Sequence, residues 1–173
     1  MIKATLIGII APIAFISISC SPTGGAEAAQ AVPAQEAEDS VHPISGLSII
    51  EVVVESDAQR HAFKTELAQS AESQSRGLMF RTELADNEAM LFPSDTLEPR
   101  GFWMKNTPLS LDIIFIGTDN RILNIAANTV PYSTKSVFSD GPTAAVFEIR
   151  GGLAAKLGIT EGNRVTWSIP DAK

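Results

Sequence analysis

From Arg100 to Gly117 the chain reads Arg-Gly-Phe-Trp-Met-Lys-Asn-Thr-Pro-Leu-Ser-Leu-Asp-Ile-Ile-Phe-Ile-Gly, an aromatic and cationic block followed by an apolar run with one carboxylate, Asp112. The block breaks at Thr107-Pro108, since proline has no amide to donate and restricts the residue before it. Residues 111–117 read as a strand, and Thr118-Asp119-Asn120 turns it back onto 122–126. Two such runs joined by a short turn predict an antiparallel hairpin.

The rest of the chain repeats this idiom. Residues 48–55 are rich in β-branched side chains between Gly46 and Asp57, and 61–68 read as a half-buried strand. Ser70 is placed to cap a short helix that ends near Gly77, with Glu72 in the first turn. Further strands are expected at 89–92, 102–106, 143–149 and 164–169, and a second short helix over 153–157 closed by Gly158. The segment 128–142, with Tyr132 between Pro131 and Ser133, is long enough to be a functional or mobile loop. About eight short strands without a long crossover helix predict a mostly β fold, a single compact jelly-roll-like antiparallel sandwich or barrel with two short helices.

The ends of the chain concern location. Residues 1–19 carry Lys3 and then an uncharged apolar run, the layout of a secretory signal peptide. The run stops at Cys20, the only cysteine, which resembles the lipid acceptor of a bacterial lipoprotein; Ser17 stands where that pattern favours Leu. The other reading is plain secretion, with cleavage near Ala26-Glu27-Ala28. Residues 20–47 have four acids and no bases, and read as a flexible acidic tether. That leaves 48–173 as the β domain, with 12 basic against 16 acidic residues, a net charge of −4. Nucleic acid is a poor partner for such a domain. An exported, membrane-anchored protein on the periplasmic side of the cell envelope is the expectation.

Five blocks in order, Arg76-Gly77-Leu78-Met79-Phe80-Arg81, Met90-Leu91-Phe92, Phe102 to Thr107, Leu111 to Ile116 and Phe147-Glu148-Ile149 with its trailing glycines, resemble the family named domain of unknown function 192. The likeness runs over roughly 49–169; Ala89 stands where the family commonly has Gly. The resemblance implies a mostly β, jelly-roll-like sandwich, and it implies no particular activity.

Strand parity over 102–106 would put Phe102, Met104 and Asn106 on one face and Trp103 and Lys105 on the other. A flat aromatic beside a cation can stack a sugar or hold an anion, or it can be packing with the lysine lying across it. Asp112 and Glu148 sit among apolar neighbours and require partners, for which Lys105 and Arg81 are the expected cations. Such a cluster is either a register-fixing ion pair or an acid–base pair with shifted pKa values. His42 and His61 are the only histidines, so no metal site or cofactor is expected.

Three functions follow as expectations. The first is a non-catalytic envelope module that binds a small polar ligand, glycan or partner protein through Trp103, Lys105, Asn106, Tyr132 and Arg81. The second is a carbohydrate-active hydrolase or lyase that uses Asp112 and Glu148 as its acid–base pair. The third is a structural accessory subunit with an exposed apolar patch.

Overall fold

The structure is a computed structural model that describes residues 41–56 and 59–170; the segment expected to be a signal peptide, Cys20 and the segment read as a tether up to residue 40 lie outside the described residues. In chain order the elements are β1 (Ile49–Glu55), β2 (Arg60–Leu67), α1 (Ala71–Arg76), β3 (Glu88–Pro93), β4 (Gly101–Phe102), β5 (Leu111–Gly117), β6 (Ile122–Ala126), β7 (Val137–Phe138), β8 (Thr143–Arg150), α2 (Leu153–Leu157) and β9 (Arg164–Trp167). Seven strands form one sheet in the order β6-β5-β8-β3-β2-β1-β9, and β4 pairs with β7 apart from it.

The large sheet curls until its edge strands meet. Arg121 bridges Arg164, Ile122 N–H donates to the Asn163 carbonyl, and Val165 N–H donates to that of Asn120. One face therefore becomes an interior, filled by Val52, Val54, Phe63, Leu91, Ile114, Ile116, Phe147, Ile149 and Val165. Phe63 and Phe147 meet edge to face there, with ring centroids 5.4 Å apart.

The opposite face of β3, β5 and β8 is covered as well, by Leu78, Leu84, Phe102 and Met104 over Met90, Phe92, Ile113, Phe115 and Val146. This explains why 111–117 is apolar without alternation: a strand buried on both faces has no solvent side.

The mostly β architecture with two short helices is as the sequence predicts, with three differences. β2 and β3 run parallel, joined by the long connection that carries α1, so the sheet is not purely antiparallel. The strand expected over 102–106 stops at Phe102, because Asn106 takes a left-handed φ of 57° and Thr107 N–H closes a turn onto the Met104 carbonyl. Inside the expected loop 128–142, β7 pairs with β4, and Thr129, Ser133 and Ser139 tie the segment to Leu111, Met104 and Arg100. Gly101 lets the Phe138 ring lie against the main chain there, where a Cβ would meet Phe138 Cε1 at 2.6 Å.

The fold also takes in residues 41–47, the end of the segment read as tether. Val41 bridges Ser48, and His42 Nε2 lies 3.5 Å from the Glu66 carboxylate, which also accepts from Ser45 Oγ and pairs with Arg81.

Candidate functional site

The register of β8 decides what lies under the cover. Glu148 stands opposite Met90 of β3 and Ile113 of β5, both of which pack on the covered outer face, so its side chain points to that face. It is 5% exposed, none of the side-chain hydrogen bonds among the described residues reaches its carboxyl group, and no described cation lies within ion-pair distance. Burial pushes the carboxyl up to about 8, because the charged form loses its water without gaining a partner.

Above Glu148 lies a cavity of about 170 Å³. Its wall is built by three segments: the end of α1 (Gln74, Arg76, Gly77), the approach to β4 (Arg100, Gly101, Phe102) and the turn after it (Trp103, Lys105, Thr107). The helix is fixed as the sequence predicts, with Ser70 Oγ accepting from Ser73 N–H at its start. Gly77 ends it with φ 47°, and a Cβ there would press on the Phe92 ring at 3.3 Å.

Three cations share this cavity. Arg100 donates to the Phe92 carbonyl at 3.2 Å and to Gln74 Oε1 at 2.9 Å, and its guanidinium lies 5.1 Å from the Phe102 ring centre. Its neighbours on this wall are therefore neutral, and half-burial lowers its pKa from the ordinary value. Lys105 Nζ lies over the Trp103 ring, 5.2 Å from the centroid, while Trp103 itself is 47% exposed. Arg76, in the last turn of α1, completes the group. None of the three has a carboxylate partner within 4.0 Å among the described residues.

The sequence-predicted residues divide. Trp103, Lys105 and Glu148 come together in this cavity. Asp112 does not join them: it is fully buried, and its register partner Ile149 faces the barrel interior, the opposite side of the sheet from Glu148. Its carboxylate accepts from Asn128 N–H at 2.7 Å, Gly152 N–H at 2.9 Å and Ala154 N–H at 2.9 Å. Asp112 thus holds the start of α2 and the turn after β6, and the expected pairing of Asp112 or Glu148 with Lys105 or Arg81 is not formed. Nor does an Asp112–Glu148 acid–base pair exist in this geometry.

Arg81 pairs with Glu66 and lines a neighbouring cavity of about 300 Å³. Asn106 and Tyr132 border the turn without lining the cavity over Glu148. Both have left-handed backbones, as does Phe80, with φ of 57°, 61° and 65°. The three are laced together: Phe80 N–H donates to the Asn106 carbonyl at 2.7 Å and Tyr132 N–H to that of Thr107 at 3.0 Å. Non-glycine residues held at positive φ cost energy and concentrate where a fold positions function. Here they fix the turn that carries Trp103 and Lys105, and leave Phe80 and Tyr132 exposed beside it.

Arg100 and Gln74 were not singled out by sequence reasoning. Arg100 lies between Pro99 and Gly101 and reads as loop punctuation; only the contact across α1 reveals it as part of a wall.

Comparison with known proteins agrees with this fold. A crystal structure of a protein of unknown function from Novosphingobium aromaticivorans DSM 12444 is similar at 50% identity, covering 83% of this chain and 100% of that one, with a TM-score of 0.72. A crystal structure of a candidate transcription regulator from Sinorhizobium meliloti 1021 is similar at 34% identity, covering 70% of this chain and 95% of that one, with a TM-score of 0.68. No curated protein matches the chain. The profile of the family described as Uncharacterized ACR, DUF192, matches residues 52–167, and the chain belongs to that family.

Proposed function

We propose that this domain is a non-catalytic binding module of the cell envelope that holds a small polar ligand in the cavity over Glu148. The observation that carries this reading is the gathering of Arg76, Arg100 and Lys105 around a buried carboxyl group, the cations without an ion-pair partner and the carboxyl without a hydrogen-bond donor among the described residues. Groups arranged to stabilise a fold satisfy one another, as Glu66 and Arg81 do nearby. Groups left facing a cavity are available to a ligand, and a pocket with a few convergent polar groups on an apolar wall is the usual form of a small-molecule site. Trp103 supplies an aromatic plane at the rim.

The apolar run before Cys20 and the acid-rich segment after it support placing this module outside the cytoplasm, with a lipid on Cys20 as its membrane anchor. A glycan or a partner protein presenting a polar group would reach the same rim.

A panel of small polar compounds, screened by ligand-observed NMR against the wild type and against Trp103→Ala and Lys105→Ala, tests the reading. Binding that both variants lose, with melting temperatures little changed, is the expected result. Compounds retained equally by both variants would place the site elsewhere.

A further inference from the structure

We propose that the ligand of this cavity is a small oxyanion, a carboxylate or a phosphate-like group, bound while Glu148 carries its proton. This deepens the preceding reading and rests on it. The three cations of the wall come from separate segments, Arg76 from α1, Arg100 from the loop before β4 and Lys105 from the turn after it, and none forms an ion pair among the described residues; Asp95 acts on Arg100 from beyond that distance. Arg100 is pre-ordered by Gln74 and two main-chain carbonyls, so its remaining N–H groups are presented without further loss of side-chain freedom. Lys105, which is exposed, lies with its Nζ over the Trp103 ring.

A deprotonated Glu148 on the floor would repel an anion, whereas a protonated one donates an O–H to it. The surroundings favour the proton. Across the sheet Glu148 faces Met90 and Ile113, the next acid on that face is Glu66, already occupied by Arg81, and the next cation along β8, Arg150, is engaged by Asp86. Phe92, Phe102, Leu78 and Met79 add apolar lining to the same cavity. The carboxyl group, held up to about 8 by burial, is thus neutral near neutral pH.

Isothermal titration with sulfate and, separately, succinate tests this at about pH 7 and about pH 9, a range over which neither probe changes charge. Uptake that needs the protonated carboxyl weakens about tenfold between those values in the wild type. Glu148→Gln, whose amide still donates, should bind with little dependence on pH, and Lys105→Gln should bind weakly at both. Sulfate preferred over succinate would indicate a phosphate-like ligand, and the reverse a carboxylate. Affinity equal at the two pH values, or a pH dependence that survives in Glu148→Gln, overturns the proposal. If neutral glycerol or glucose binds in a Trp103-dependent way while neither anion does, the oxyanion assignment fails and the small-polar-ligand reading stands. If no probe of any charge binds, both fall.

Discussion

Asp112 and Glu148 stand on adjacent strands, one residue apart in register, and send their carboxyl groups to opposite faces of the same sheet. The consequence is a division of labour. Asp112, facing the barrel interior, is consumed by three main-chain N–H groups, whereas Glu148, facing the covered side, is left to a cavity.

Asp112→Ala should therefore be costly to stability. It leaves three amides without their acceptor, and each buried unsatisfied group costs about 1–3 kcal/mol, so a loss of about 3 kcal/mol or more is expected in urea denaturation. Asp112→Asn keeps one accepting oxygen and should lose less. A loss under about 1 kcal/mol for the alanine variant would contradict the strut assigned to this residue.

Glu148→Gln should be increasingly favoured over the wild type as pH rises. The folded carboxyl titrates at about 8 against an ordinary 4.5, so above the lower value the unfolded chain sheds the proton while the fold keeps it. Fewer protons bound in the unfolded state means that stability falls with rising pH, and the fall is complete once the folded group also titrates. Melting temperatures measured from about pH 5 to about pH 9 should show the wild type dropping relative to the variant, by an amount worth several kcal/mol at most, then running parallel to it. Parallel curves throughout would mean that Glu148 is charged in the fold.

Arg81→Ala leaves Glu66, 3% exposed, with only His42 and Ser45 Oγ as polar partners. Breaking such a pair from one side costs about 3–5 kcal/mol, much of it from the stranded charge. Adding Glu66→Gln should restore part of the loss, and a double-mutant cycle by chemical denaturation reads the coupling. No recovery in the double variant would show that Arg81 acts through packing alone.

Much of the fold was legible because its signals are local. β5 and β6 with their turn, the Ser70 cap and the Gly158 stop each depend on a few neighbouring residues, and each was found where expected. What escaped depends on contacts distant in sequence. The partners of Asp112 are backbone amides, which have no letter in a sequence, so residue types alone point to a cation in their place. β7 has only two residues, with the Phe138 ring lying against Gly101. The turn at Asn106 interrupts a run that alternates like a strand, yet Met104 is buried and Trp103 exposed, so sidedness survived where the strand did not. Of the site, Trp103, Lys105 and Glu148 were readable from residue type; Arg100 and Gln74 meet only in the folded chain.

The envelope setting has its own test. In cells fed a labelled fatty acid, the wild type should take up label and fractionate with membranes, and Cys20→Ser should do neither. Equal labelling of the two proteins would remove the anchor from the account.

The chain has two tryptophans, and they report on different places: Trp103 lines the cavity over Glu148, while Trp167 lies on β9 beside another surface. Their indole N–H signals in a ¹⁵N-labelled sample therefore carry an internal control. On titration with succinate at about pH 7, the Trp103 signal should move in a saturable way and return to its free position on dialysis, while that of Trp167 stays in place throughout. A Trp103 signal unmoved by succinate and by every member of the polar-compound panel, or movement confined to Trp167, would contradict the assignment of this cavity as the binding site.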